Sequence, residues 1–190
     1  NSQLEPETLT GIEGGALFSR GMVSLRVTGF ANMLDGAIAN FTLGQQGATT
    51  LRQRRNSDEI RALGAEVETD LRPHPTSSVN GQVTFTSSRF RGSLATPTLE
   101  GNRVPQVPRV QFGAGVTWAA PQMVSVAAQL RGSGNQYDDD QNSPAFELEP
   151  YVVVDALVSR PVTRGVQAFF SLENVFDQGY DTGRTPLGSN

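Results

Sequence analysis

Three consecutive carboxylates, Asp138, Asp139 and Asp140, followed by Gln141 and Asn142, form the sharpest charged cluster of this 190-residue chain. Hard oxygen donors at that density can ligate a divalent cation such as Ca²⁺, or meet a cationic ligand. No Gly and Glu complete an EF-hand spacing, however, and solvation alone accounts equally well for an acidic run in a loop. Arg52, Arg54 and Arg55 form a cationic cluster able to attract an anionic ligand, with a solvated loop as the plainer account. Covalent catalysis finds no foothold. The sole histidine, His74, stands between Pro73 and Pro75 without an acid or nucleophile beside it and reads as a turn residue. No Gly-rich phosphate loop and no Ser nucleophile elbow occurs, and nothing in the spacing selects two carboxylates as a glycosidase pair. The chain reads as a non-enzyme that needs no cofactor.

Composition narrows the classes further. A formal charge of -4 leaves no basic footprint for nucleic acid. Zero cysteines exclude disulfide frameworks and thiolate chemistry. No segment approaches the ~18 apolar residues of a spanning helix. No signal peptide stands at Asn1, which leaves either a cytosolic chain or one whose beginning lies elsewhere. The 20 glycines and 11 prolines are scattered, as punctuation between many short strands would be.

The elements that must carry these residues are strands. Period-2 alternation recurs along most of the chain: Val79, Gly81, Val83 and Phe85 oppose Asn80, Gln82, Thr84 and Thr86. The same pattern marks Ile12 to Phe18, Val23 to Thr28, Leu63 to Arg72, Val110 to Trp118, Val124 to Arg131, Val152 to Val158 and Val166 to Leu172, eight strands in all. The joints alternate in length. Ser19-Arg-Gly21, Pro73 to Ser77, Ala120-Pro-Gln122 and Pro161 to Gly165 are tight, whereas Leu34 to Arg61, Arg89 to Pro108 and Tyr137 to Pro150 are long. Such sorting is the habit of outer-membrane barrels, with short periplasmic turns on one rim and long extracellular loops on the other. A soluble β-sandwich or small barrel acting as a binding module or adhesin explains the alternation equally well, but not the sorted joints. Strands of about nine to eleven residues would cross a ~25 Å apolar band at a tilt. Phe18, Phe30, Trp118, Tyr151, Phe169 and Phe176 fall near strand ends, where interfacial girdles or ordinary packing place rings.

Several phrases carry a family resemblance. Asn174-Val-Phe-Asp-Gln-Gly-Tyr180, running on to Arg184-Thr-Pro186, is similar to the end of a TonB-dependent outer-membrane receptor. Pro6-Glu7 with Glu13 and Gly15, Gly64-Ala-Glu66-Val-Glu68 with Pro73, Val104 to Arg109, and Gln136 to Asn142 resemble further phrases of that family, in its order. The resemblance implies an all-β fold: about eight antiparallel strands of a 22-stranded transmembrane barrel in the bacterial outer membrane. It implies that residues 1–190 are the C-terminal part of the barrel domain, with the plug domain and the closing strand outside them and Asn190 in the last extracellular loop. The function implied is active uptake of a scarce ligand such as a ferric siderophore or cobalamin. The partners implied are membrane lipid, the receptor's own plug and the TonB energy-coupling complex; a passive porin fits these phrases less well. On the face implied to line the lumen stand Arg26, Glu66, Glu68, Asp70, Arg72, Arg131, Asp155 and Glu173. They are either ion-pair partners of the plug or a water-filled polar interior.

Overall fold

The computed structural model describes residues 4–47, 49–57, 59–92, 97–120 and 123–183. Twelve strands occur among them: β1 (Thr8–Arg20), β2 (Val23–Asp35), β3 (Ile38–Gln46), β4 (Thr49–Asn56), β5 (Glu59–His74), β6 (Ser77–Arg91), β7 (Val110–Ala120), β8 (Val124–Ser133), β9 (Gln136–Tyr137), β10 (Glu147–Leu148), β11 (Tyr151–Thr163) and β12 (Val166–Leu172). Eight of these form one sheet in the order β1-β2-β5-β6-β7-β8-β11-β12, every pairing antiparallel. These are the eight strands that the alternation predicts. Five of them run longer than the nine to eleven residues expected, up to 16 in β5, where pairing continues past the apolar band into the loop rim.

Local chemistry sets the tight joints. Arg20 pairs with Val23, leaving Gly21-Met22 as a two-residue turn one position later than the sequence suggests. Gly21 takes φ +60°, the conformation that a tight hairpin asks of its first central residue and that glycine supplies without a Cβ clash. Thr163 pairs with Val166 across Arg164-Gly165, and His74 with Ser77 across Pro75-Thr76. The β7–β8 joint expected at Pro121-Gln122 lies outside the described residues, as does Arg184 to Pro186.

The two faces of the sheet differ as the alternation requires. Across one face run rows such as Ala16, Val27, Val67, Val83 and Phe112, each residue directly opposite the next. Many large apolar side chains remain exposed there, Ile12 at 74% and Leu63 at 60% among them. A water-facing surface of this extent is rare for a soluble protein. The opposite face carries Arg26, Glu68, Gln82 and Gly113 in one row, and Thr28, Glu66, Thr84 and Gln111 in the next. Among the described residues no second large sheet packs on either face, as a sandwich would need.

The buried core lies instead at the loop rim. The long joint after β2, read from sequence as a loop, folds into the β3–β4 hairpin, whose Phe41 packs with Phe90 and Leu99 and against Ile60 and Val104. Phe90 and Ile60 face each other on the polar side of the sheet, so the hairpin closes over that side. Leu99 arrives on a short 3-10 turn, Pro97–Leu99, and a second such turn, Pro144–Phe146, stands in the joint before β11.

Candidate functional site

Where the three long joints meet, a cavity of about 390 Å³ opens on the polar side of the loop rim. Leu34, Ile60, Arg52, Arg54, Gln106 and the three aspartates are among its walls. The acidic and cationic clusters, more than eighty positions apart in the chain, therefore share one site. The aspartates are not solvated: Asp138, Asp139 and Asp140 are 6%, 5% and 2% exposed. Buried carboxylates must be hydrogen-bonded, and each of these is. Asp138 accepts from Gln106 Nε2 at 2.7 Å. Asp139 accepts the backbone N–H of Ser143 at 2.9 Å and its hydroxyl at 2.6 Å, fixing the entry to the 3-10 turn at Pro144. Asp140 accepts both the backbone N–H of Thr42, at 3.1 Å, and the Thr42 hydroxyl, at 2.7 Å.

The triplet thus works as a hub joining three loops. Asn102 Nδ2 adds a bond to the Asp140 carbonyl at 3.0 Å. Asn142, held at φ +54°, grips Arg103 from both sides: it accepts that residue's N–H at 2.6 Å and donates to its carbonyl at 2.9 Å. Burial, followed by the nearby charge of Arg109, holds the Arg103 guanidinium below its ordinary pKa. Among the described residues no group of three or more His, Cys, Asp or Glu is arranged to hold a metal ion. Thr42, Asn102 and Gln106 escape a reading of the sequence, because nothing local marks a residue as the partner of a distant carboxylate. The left-handed positions of Gln106 and Asn142 leave a hint only at Asn142, since asparagine tolerates that conformation.

The arginine triplet divides. Arg52 and Arg54 line the cavity, and Arg52 Nη2 is buried without a hydrogen-bond partner among the described residues, an unused donor. Arg55 instead stacks its guanidinium on Phe41, 4.4 Å from the ring centre, and helps hold the hairpin.

Register places Arg26, Glu66, Glu68, Asp70, Arg131 and Asp155 on the polar face. Arg26 approaches Glu68 at 3.6 Å in a pair open to solvent, and Arg131 approaches Asp155 at 3.5 Å with the carboxylate partly covered. Glu173 lines a hollow of about 440 Å³ beside Arg131 and Asp155. Arg72 sits apart, at the turn rim, where its N–H bonds the Met22 carbonyl and its side chain borders a separate hollow with His74. The Asn174 to Tyr180 phrase is a turn and not more strand. Asn174 takes φ +51° and exchanges two side-chain bonds with Gln178, at 3.0 and 2.9 Å. The segment folds back so that Tyr180 stacks on Tyr151, 4.3 Å between centres, and accepts a 3.4 Å bond from Arg131. The expected aromatic girdle is corrected at Phe30, Tyr151 and Phe169, which the register sets on the polar face; the Phe30 ring lies over Gly64, because the glycine opposite leaves room for it.

A long-stranded antiparallel sheet with one exposed apolar face, one charged face and loops gathered at one rim is the wall of a membrane barrel. The chain belongs to the TonB-dependent receptor-like β-barrel family, whose model matches residues 1–175. It is 30% identical over 130 residues to the ferrichrome outer membrane transporter/phage receptor of Escherichia coli (strain K12), covering 64% of this chain and 17% of that one. Among solved structures it is similar to the ferric yersiniabactin uptake receptor of Yersinia pestis, with TM-score 0.75, 22% identity, and coverage of 96% of this chain and 27% of that one. It is also similar to the copper transporter OprC, with TM-score 0.79, 15% identity, and coverage of 100% and 30%. The chain thus spans less than a third of the length of each. Family membership places this wall segment in the bacterial outer membrane, and the family is one of receptors and transporters.

Proposed function

We propose that this chain is about eight strands from the C-terminal part of a 22-stranded, plug-filled barrel that takes up a scarce metal chelate, with a ferric siderophore as the first expectation. The match of the receptor-barrel family over residues 1–175 carries this reading. The sheet supports it physically: the apolar face lies against lipid, the charged face turns to the lumen and the plug, and β1 and β12 pair with neighbouring barrel strands. Bare strand edges are not tolerated in hydrocarbon. Ligand capture falls to the loop-rim cavity, where Arg52 offers its vacant donor, and energy arrives from TonB through the plug. The protein performs no covalent chemistry, and cobalamin or another solute is a second ligand class.

The test is radio-iron uptake by iron-starved cells producing the intact receptor, across a panel of ferric siderophores, with TonB present or deleted. Saturable uptake of one chelate that vanishes without TonB is expected. If no chelate, cobalamin or other solute enters in a TonB-dependent way, the reading fails.

A further inference from the structure

Beyond β12 the chain leaves the sheet and crosses its polar face. Asn174 donates its N–H to Asp155 Oδ1 at 2.8 Å and Val175 donates to the Val154 carbonyl at 2.8 Å, which fixes the base of the crossing. The other oxygen of Asp155 faces Arg131 at 3.5 Å, and Arg131 donates to the Tyr180 hydroxyl at 3.4 Å while Tyr180 stacks on Tyr151. Arg131 thus ties the base of this segment to its middle. At the far end Gly183 reaches the loop rim: a Cβ there would lie 3.5 Å from Gln106 Nε2 and 3.6 Å from Asp138 Oδ1, in ordinary contact. Those two atoms are bonded to each other at 2.7 Å, and both residues border the cavity of about 390 Å³. One hydrogen-bonded pair therefore borders the cavity and meets the end of the crossing segment.

The segment also has the marks of a part that moves. Each residue from 175 to 183 is exposed, so few apolar contacts hold it, which is the condition for local opening at low free-energy cost. Asn174 and Asp177 sit at φ +51° and +50°, and Gln106, across the contact, at φ +58°. Left-handed angles at residues other than glycine persist only while the surrounding contacts over-determine them. Loss of the contacts at one end therefore favours release at the other.

We propose that residues 173–183 form a strap that backs the wall of the loop-rim cavity, and that a bulky anionic solute in the cavity releases it from the polar face. The proposal rests on the reading that this cavity captures the ligand. Arg52 lines the cavity with a buried donor that has no partner among the described residues, so it draws an anionic group inward. Negative charge arriving there repels Asp138 and crowds the Gln106–Asp138 bond on which Gly183 rests. Coupling of this kind runs both ways: a strap that is already released loosens the same wall.

The experiment measures hydrogen exchange of the intact receptor carrying Asn40→Cys, at an exposed position of the cavity wall, before and after capping with fluorescein maleimide, which is bulky and anionic. Peptide mapping confirms that the label sits at position 40. Filling the cavity should speed exchange over residues 173–183 about fivefold or more, the low end of ordinary coupling between sites, while β5 and β6 keep their protection. The much smaller N-ethylmaleimide should leave the strap docked. Tyr180→Ala, which removes both the Arg131 bond and the ring stack, should speed exchange over residues 104–107 and 137–143 without any cap. If that variant does not fold, Tyr180→Phe, which loses only the bond from Arg131, decides in the same way. Unchanged strap exchange on filling overturns the proposal, as does unchanged exchange of the cavity wall in the folded Tyr180 variant. An equal rise with the small cap overturns it as well, because the cavity was then not filled. Uptake by the same receptor reports the transport reading separately: coupling without TonB-dependent uptake of any solute fails that reading and leaves the strap standing, whereas uptake through a receptor whose strap and cavity are uncoupled overturns the strap alone.

Discussion

Asp140 and Thr42 meet across 98 positions of sequence, the carboxylate accepting both the backbone N–H and the hydroxyl of the threonine. This contact pins the β3–β4 hairpin to the joint before β11. Replacing Asp140 by Ala strands both donors at a part-buried site, a penalty of about 1–3 kcal/mol. Hydrogen exchange over residues 36–57 should accelerate while β5 and β6 keep their protection. Unaltered exchange would mean that the Phe41, Phe90 and Leu99 cluster holds the hairpin without help.

Two glycines make a paired prediction. Gly64 faces Phe30 on the polar side and Gly132 faces Phe112 on the apolar side. A Cβ at position 64 would strike the Phe30 ring and also stand 2.5 Å from the Phe85 carbonyl oxygen. At position 132 the three atoms nearest a Cβ all belong to the Phe112 ring, with Cε1 and Cε2 at 2.8 Å. Alanine at either site should cost about 1–3 kcal/mol by overpacking. Phe112→Leu should restore Gly132→Ala, whereas Phe30→Leu should not restore Gly64→Ala, because the backbone oxygen remains. Urea midpoints of the intact receptor check this, and equal rescue at both sites would show that the carbonyl contact is not limiting.

The strands and their faces were legible because alternation is a local property: Val79, Val83 and Phe85 declare a face from nine residues of text. The β3–β4 hairpin was not. Its register shifts between Thr42 and Gly44, and Arg52-Gln-Arg-Arg55 does not alternate, so the stretch reads as loop. The acidic triplet was visible as a charge cluster, but its burial depends on donors from Thr42 and Gln106 that no local pattern connects to it. Phe30 was misread for the same reason, since the space over Gly64 exists only once β2 and β5 are in register.

Val83 tests the lipid-facing reading directly. It lies mid-strand in the apolar row with Val67 and Phe112 on either side. Arginine there should cost about 2–4 kcal/mol near the bilayer midplane. Gln82→Arg, one residue away on the polar face beside Glu68, should be close to neutral. Folding titrations into phospholipid vesicles measure both, and a silent Val83→Arg would place that face in water.

Asn174 controls the end of the sheet through two separable properties. Its backbone occupies φ +51°, where most side chains clash, and its amide forms reciprocal bonds with Gln178. Its own N–H bonds Asp155 at 2.8 Å, which aims the following segment toward Tyr151 and Arg131. Asn174→Gly keeps the backbone angle accessible and loses only the amide bonds, while Asn174→Ala loses both. Hydrogen exchange over residues 173–181 should therefore rise from the natural protein to the glycine variant and again to the alanine variant. The second step reflects the left-handed penalty of about 1–2 kcal/mol. Equal exchange in the two variants would assign the turn to the amide bonds alone, and the stacking of Tyr180 on Tyr151 would then depend on Gln178 rather than on the backbone angle at Asn174.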